Sequence, residues 1–363
     1  MEKKFIAILA SGTGGHVYPA YTIATEFIKQ DYNIIWLGTE KGIEHRVIKN
    51  DSIIIKNISS TGIRGKSITK KLTGILYLFK SIFEAYKIIK HYNPKLTVGF
   101  GGYVSLPGII ISYFLKIPVV IHEQNSIAGT ANKINYYFSK KIFETFPDSF
   151  NKNNNKIVHS GNPIREIFLN LEKPEEKYLS QSSYLNILVL GGSQGSSFFN
   201  TSLPFVFSYF YKHNITVKHI SGIENTRQVE SRYKKYGINA AVFDYAENIN
   251  ELYDWANLIV CRSGSTTLSE ISTIGRAIIL VPFPFATDNH QFYNASYLAN
   301  QSACILIEQN DSFVENFVNT INIILNDQKR MYTLSKNIQK VFPRNPAKII
   351  IDQSVKLIEN INE

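Results

Sequence analysis

Three times along the chain a short apolar run empties directly into a glycine-rich turn and then into a helical pattern. Phe5–Ala10 runs into Ser11-Gly12-Thr13-Gly14-Gly15-His16, followed by a helix from Tyr18 to Gln30. Leu96–Gly99 runs into Phe100-Gly101-Gly102-Tyr103, followed by a helix from Leu106 to Leu115. Asn186–Leu190 runs into Gly191-Gly192-Ser193-Gln194-Gly195-Ser196, followed by a helix from about Phe198. Further apolar runs alternate with helical stretches: Asn33–Leu37, Ile53–Ile58, Ile117–Ile121, Lys140–Phe143 and Ile157–His159, then Val217–Ser221, Ala240–Phe243, Leu258–Cys261, Ala277–Val281 and Cys304–Ile307. Strands without a polar face are covered on both sides, and helices between them make the connections parallel crossovers. The pattern restarts after Glu172–Ser183, which is charged, poor in apolar residues and reads as a surface linker. The expected fold is therefore α/β, with two doubly wound parallel-sheet, Rossmann-like domains facing a cleft. Their expected bounds are 1–164 and 165–342; a chain of 363 residues is comfortable for two such cores. Pro343 breaks the pattern, and the amphipathic segment Ala347–Ile361 is expected to pack back onto the first domain.

The chemistry is densest between Leu258 and Ala295. A strand ends at Cys261, Ser263-Gly264-Ser265-Thr266-Thr267 forms a turn, and Leu268–Ile274 is helical. Backbone N–H groups at the positive end of that helix suit a phosphate. Glu270, one turn in, is placed to reach the paired hydroxyls of a ribose. After Pro282-Phe283-Pro284 comes a polar cluster, Asp288, Asn289, His290, Gln291 and Asn294, whose amides both donate and accept and so suit sugar hydroxyls. The first glycine turn is open to two readings, a phosphate cradle or a plain tight turn with His16 starting a helix; it has neither the Lys-Ser/Thr ending of a triphosphatase loop nor the dinucleotide spacing. The strand Ile117–Ile121 ends in His122-Glu123-Gln124-Asn125, polar residues at the ligand rim of an open sheet. Asn125 suits a sugar contact and Glu123 or His122 a proton transfer, but each equally suits a cap or a satisfied buried group. No D-x-D pair and no Cys/His cluster is present, so amides and helix dipoles, with no metal, are expected to stabilise a departing diphosphate.

Charge is uneven. Residues 1–160 carry 21 Lys and Arg against 10 Asp and Glu, whereas 161–363 carry 18 against 19. A basic half suggests an anionic partner, whether nucleic acid, a membrane surface or a phosphorylated acceptor, and no nucleic-acid motif is visible. The helix expected at Leu72–Lys90 has an apolar arc wider than the roughly 100° a core-facing helix needs, ringed by Lys66, Lys70, Lys71, Lys80, Lys87 and Lys90. It reads either as a well-buried helix with solvated lysines or as an edge that dips into lipid. No apolar run reaches the roughly 18 residues of a membrane span. The run at Phe5–Ala10 ends in a glycine turn and reads as a strand, not a signal peptide. Two cysteines, Cys261 and Cys304, give no disulfide framework, and the cytoplasm is the expected compartment.

Taken in order, GTGGH at 12–16, GFGGYVS at 99–105, HEQN at 122–125, GNPIR at 161–165, GGSQG at 191–195, RSGSTTLSE at 262–270 and DNHQFYNA at 288–295 closely resemble the MurG family over almost the whole chain. The resemblance implies the glycosyltransferase-B architecture and no cofactor. It implies inverting, β-1,4 transfer of N-acetylglucosamine from UDP-GlcNAc to undecaprenyl-pyrophosphoryl-MurNAc-pentapeptide, the lipid I to lipid II step of peptidoglycan synthesis. The partners it implies are that donor, that lipid-linked acceptor and the anionic cytoplasmic membrane surface, where such an enzyme is peripheral. It places Thr13, Gly14, Gly15 and Asn125 at the donor sugar, Arg165 and Ser193 at the diphosphate, and the Ile249 backbone at uracil. Ser265, Thr266, Thr267, Leu268, Ser269 and Glu270 are placed at phosphate and ribose, with Gln291 at the sugar. His16 resembles the family's candidate general base, with Glu123 as its rival. Gly12, Gly101, Gly102 and Tyr103 are expected at the acceptor diphosphate. Ile75, Phe79 and Ile82 correspond to a membrane patch. Ser11 stands where the family often has glycine, and His290 where an amide is common. The alternatives are a diacylglycerol-type lipid glycosyltransferase, a UDP-GlcNAc epimerase on a related fold, or a membrane partner that binds a nucleotide sugar without turnover. The HEQN and GNPIR motifs count against the first two, and the possession of both domains against the third.

Overall fold

The computed structural model describes residues 4–60, 68–179, 184–192, 194–246, 248–327 and 329–362, without the side chains of 68–76, 361 and 362. Two compact units result, one of Met1–Arg165 with Pro343–Glu363, the other of Glu166–Phe342.

The first unit contains β1 (Phe5–Leu9), α1 (Gly14–Ile28), β2 (Asn33–Gly38), α2 (Glu44–Val47), β3 (Ile53–Asn57), α3 (Ile68–Tyr92), β4 (Leu96–Gly99), α4 (Gly102–Phe114), β5 (Val119–Glu123), α5 (Thr130–Asn135), β6 (Lys141–Glu144) and β7 (Ile157–His159). Its strands form one parallel sheet in the order β3-β2-β1-β4-β5-β6-β7. Successive side chains of a strand point to opposite faces, so β1 feeds two cores. Ile6 and Ile8 pack with Val17, Ile23 and Phe27 of α1; Ala7 and Leu9 pack with Ala85 of α3 and Ile109 of α4.

The second unit contains α6 (Pro174–Leu179), β8 (Leu185–Leu190), α7 (Ser197–Ser208), β9 (Ile215–Ile220), α8 (Thr226–Lys235), β10 (Ala240–Phe243), α9 (Ile249–Trp255), β11 (Leu258–Cys261), α10 (Ser265–Ile274), β12 (Ala277–Leu280), α11 (His290–Ala299), β13 (Ile305–Leu306), α12 (Phe313–Asn326) and α13 (Lys329–Ile338). Its parallel sheet runs β10-β9-β8-β11-β12-β13. The last helix, α14 (Pro346–Asn362), returns to the first unit and buries Ile350, Ile351 and Ile358 beside α1.

Two expectations need correction. The stretch 172–183 is not simply a linker, because α6 lies within it and belongs to the second unit. Tyr178 donates its hydroxyl to the Asn257 carbonyl at 2.6 Å, and Lys177 bonds the Asp254 carbonyl at 2.5 Å. Few apolar residues were needed, since the helix is held by polar groups. The turn 265–267 is likewise the first turn of α10, not a loop before it.

Two buried histidines give the units different acid responses. Burial lowers the pKa of His122, in the first unit, to about 4, and that of His219, in the second, to about 3. His219 binds the Tyr233 hydroxyl through Nδ1 at 3.0 Å, and its buried Nε2 has no partner among the described residues. An unfolded histidine takes a proton near pH 6.5, so each costs stability as pH falls below that value, up to about 1.4 kcal/mol per pH unit. Glu144 opposes this in the first unit. Burial, partly offset by the Asp148 and Ser149 amides, raises its pKa to about 7. Its folded form holds a proton that the unfolded form has lost, so it gains stability as pH falls from 7 toward 4.5. Burial also lowers the pKa of His159 in the first unit, a smaller cost that Glu144 offsets together with that of His122, so acid should weaken the second unit first. The two tryptophans report separately: Trp36→Phe leaves Trp255 to report the second unit, and Trp255→Phe leaves Trp36 to report the first. Between pH 7 and 5 the urea midpoint should drop further in the former variant.

Candidate functional site

A doubly wound sheet offers its ligand site where strand order reverses, at the carboxyl ends of the strands flanking that point. In the first unit the reversal lies between β1 and β4, so the turns at 10–16 and 100–102 are neighbours. A Cβ added to Gly102 would lie 3.7 Å from His16 Nδ1 and 3.7 Å from the Ser11 carbonyl oxygen. These are ordinary contact distances, so His16 lies against the second glycine turn, and glycine is required at 102 by its φ of +74°. Gly12 faces open space, and Tyr103 is exposed at the start of α4. Ser11 is fixed from the side: its hydroxyl pairs with Thr39 Oγ1 at 2.7 Å, and the Thr39 amide donates to buried Glu44 at 2.7 Å.

The end of β5 supplies a third wall. Glu123 is 3% exposed, and both carboxylate oxygens are engaged. Oε1 accepts from the Asn125 amide at 3.0 Å; Oε2 accepts from the Gly129 amide at 3.1 Å and from Asn132 Nδ2 at 2.9 Å. Glu123 therefore shapes the loop that presents Asn125. His122 is fully buried and neutral. Its Nε2 donates to the Gly161 carbonyl at 3.0 Å and its Nδ1 accepts from Gln124 at 3.0 Å, which leaves it nothing with which to move a proton for a substrate.

In the second unit the reversal lies between β8 and β11, which brings the turns 191–196 and 262–264 side by side. Gly192 and Gly264 both face open space. Gly195 does not: its φ is +76°, and a Cβ there would sit 2.1 Å from the Ser221 carbonyl oxygen. Ser193 lies outside the described residues. Ser196 caps α7 by accepting from the Phe199 amide at 3.3 Å. The first-turn amides of α10, at Ser265, Thr266 and Thr267, head the helix axis at this point. Leu268 and Ser269 turn their side chains inward and offer none to a ligand. Gln291 uses Oε1 to accept from the Phe283 amide at 3.0 Å, and His290 bonds the Thr287 carbonyl at 2.7 Å through Nδ1. Ile249 opens α9.

The sequence assigns no role to two residues at this site. Tyr253, on α9, donates its buried hydroxyl to Glu270 Oε2 at 3.2 Å and so sets the carboxylate's orientation. Arg262 is buried beside Phe199 and reaches Val281 and Pro282 carbonyls, Ser196 Oγ and Gln309 Oε1. Only the RSGST string hinted at Arg262, and only a folded contact reveals Tyr253.

The glycosyltransferase family 28 N-terminal domain matches residues 6–144 and its C-terminal domain residues 186–350. A Wigglesworthia glossinidia brevipalpis protein is 37% identical over 356 residues, 97% of each chain. A Coxiella burnetii (strain Dugway 5J108-111) protein is 35% identical over 352 residues, 97% of this chain and 98% of its own. Both are named UDP-N-acetylglucosamine–N-acetylmuramyl-(pentapeptide) pyrophosphoryl-undecaprenol N-acetylglucosamine transferase. The crystal structure of Acinetobacter baumannii MurG is similar at TM-score 0.82 and 29% identity, over 97% of this chain and 99% of that one. The chain belongs to the MurG family, within glycosyltransferase family 28. The two parallel-sheet units are this family's glycosyltransferase-B fold, as the sequence resemblance implied.

The hydroxyl of Tyr253 gives the MurG-family site a measurable dependence. Tyr253→Phe removes one hydrogen bond to a charged group, a loss of about 1–2 kcal/mol. On the reading that Glu270 meets the ribose of UDP, UDP affinity should fall about five- to twentyfold by calorimetry. An unchanged affinity would show that Glu270 needs no such orientation.

Proposed function

We propose that the second unit holds UDP-GlcNAc and the first takes the lipid-linked acceptor. The chain is a hexosyltransferase of peptidoglycan synthesis: it moves N-acetylglucosamine from UDP-GlcNAc to undecaprenyl-pyrophosphoryl-MurNAc-pentapeptide, converting lipid I to lipid II. The observation that carries the donor assignment is the pairing of two open glycine positions, Gly192 and Gly264, with the α10 N-terminus and the Tyr253-held Glu270. Diphosphate charge meets the amides at 265–267, ribose hydroxyls meet Glu270, and the Gln291 amide nitrogen meets the sugar. The Ile249 backbone at the head of α9 takes the uracil. Arg165 and Ser193 complete the diphosphate contacts, with Thr13, Gly14, Gly15 and Asn125 at the donor sugar. Gly12, Gly101, Gly102 and Tyr103 cradle the acceptor diphosphate.

The chemistry is a direct displacement with inversion. His16 takes the proton of the acceptor's 4-hydroxyl as that oxygen bonds the anomeric carbon. The bond from that carbon to the diphosphate oxygen breaks, and UDP leaves with the electron pair. Full engagement of the Glu123 carboxylate supports His16 over Glu123 as the base. Incubation with labelled UDP-GlcNAc and lipid-linked MurNAc-pentapeptide should yield the lipid-linked disaccharide. Release of free or epimerised sugar, or binding without product, would overturn the reading.

The first unit also suits docking on the anionic cytoplasmic face of the inner membrane. No helix among the described residues is long and apolar enough to cross a membrane. On α3, Phe79 is 67% and Phe83 57% exposed, with Lys80 exposed nearby and Lys87 Nζ 4.4 Å from the Phe83 ring centroid. Tyr113 and Phe114 are exposed on α4, which packs against α3. Ile82 is half-buried against the core instead, and the side chain of Ile75 lies outside the described residues. Aromatic rings between lysines match an interfacial anchor. Phe79→Ser/Phe83→Ser should abolish sedimentation with phosphatidylglycerol vesicles while leaving UDP affinity unchanged; sedimentation equal to wild type would refute the docking face.

A further inference from the structure

Tyr18 lies one turn into α1, and a helical side chain leans back toward the N-terminus of its own helix. That lean lays the ring on the first glycine turn. A Cβ added to Gly14 would stand 3.0 Å from Tyr18 Cε2 and 3.1 Å from Cδ2, with Ile43 Cδ1 at 3.9 Å. The same ring meets Arg165, whose guanidinium carbon is 4.5 Å from the ring centroid. This is within the range of a cation–π contact, and guanidinium is the cation that stacks best on an aromatic face. One half-buried ring therefore touches both the turn that carries Thr13, Gly14 and Gly15 and the arginine that closes the GNPIR motif.

We propose that Tyr18 is a positioning residue for the donor diphosphate, fixing the plane of the Arg165 guanidinium relative to the first glycine turn. The proposal rests on the reading that Arg165 binds that diphosphate. A guanidinium bonds phosphate through donors in a fixed planar fork, so the tilt of its plane decides whether two bonds form or one. The π face performs this role, and the phenolic oxygen has no part in it.

The test is UDP affinity by calorimetry on the full chain: wild type, Tyr18→Leu, Tyr18→Phe, Arg165→Ala and the double variant Tyr18→Leu/Arg165→Ala. Arg165→Ala should weaken UDP about tenfold or more. Tyr18→Leu should weaken it about three- to tenfold, and Tyr18→Phe should match wild type. In the Arg165→Ala background Tyr18→Leu should add no further loss, because a residue acting through Arg165 has nothing left to position. A residue that merely filled space would give additive losses. Additivity, an unchanged affinity in Tyr18→Leu, or equal losses in the Leu and Phe variants overturns the proposal while leaving the donor role of Arg165 intact. An Arg165→Ala variant with wild-type UDP affinity overturns the donor role itself and the proposal with it. Tyr18→Met, which keeps the bulk but lacks the ring, answers the same question if the leucine variant does not fold.

Discussion

His16→Ala should lower the transfer rate about a hundred- to ten-thousandfold, the span expected when a general base is removed, while UDP affinity changes less than about twofold. The expectation follows from how the rival groups are engaged and from where His16 sits. Glu123 spends its carboxylate on the Asn125 and Gly129 amides and on Asn132. His122 spends both ring nitrogens on Gly161 and Gln124. His16 heads α1 beside the second glycine turn, where a Cβ on Gly102 would lie 3.7 Å from its Nδ1. A pH–rate profile separates the candidates. The limb set by the base should vanish in His16→Ala and persist in Glu123→Gln. The latter variant will itself be slower, because an amide nitrogen placed against the donors of residues 125, 129 and 132 disturbs the loop that carries Asn125. Near-full activity in His16→Ala would end the assignment.

The strands that flank both reversal points follow from features that are local in sequence, whereas their order in each sheet comes from the fold. Apolar runs of four to six residues, each ended by glycine or small polar residues, suffice to place β1, β4, β8 and β11 and the turns behind them. What stayed hidden is contact between residues far apart in the chain. Tyr253 and Glu270 are separated by 17 positions, and Arg262 and Ser196 by 66. No periodicity signals such pairs. Gly195 could be read as a turn residue, but its near-contact with the Ser221 carbonyl could not. The exposed apolar strip of α3 shows a different limit. A wide apolar arc says that a helix has more greasy surface than the core needs, not which edge the core takes. Here the core took Ile82 and left Phe83 outside.

Arg262→Ala should destabilise the second unit by about 3–5 kcal/mol and weaken UDP binding along with it. Arg262 is 8% exposed, has no carboxylate partner among the described residues, and has its pKa lowered by burial to about 10. It persists there because both Nη groups are directed at neutral acceptors on separate segments. Nη1 bonds the Val281 and Pro282 carbonyls at 3.0 and 3.1 Å; Nη2 bonds Ser196 Oγ at 3.0 Å and Gln309 Oε1 at 2.8 Å. Phe199 lies flat enough beneath it for a 4.4 Å contact to its ring. Truncation takes this donor from the buried Val281 and Pro282 carbonyls and opens a void beside them, and each buried acceptor left unsatisfied costs about 1–3 kcal/mol before water enters. The segments released are the ones that carry the site: Ser196 ends the third glycine turn, and Pro282 begins the loop leading to Gln291. Loss of the clip should therefore lower both the melting temperature and UDP affinity. Arg262→Lys should recover little, because one ammonium cannot span the two sets of acceptors that a planar fork joins. Equal UDP affinity in Arg262→Lys and wild type would show that the clip serves the core alone and leaves the turn geometry to Gly195.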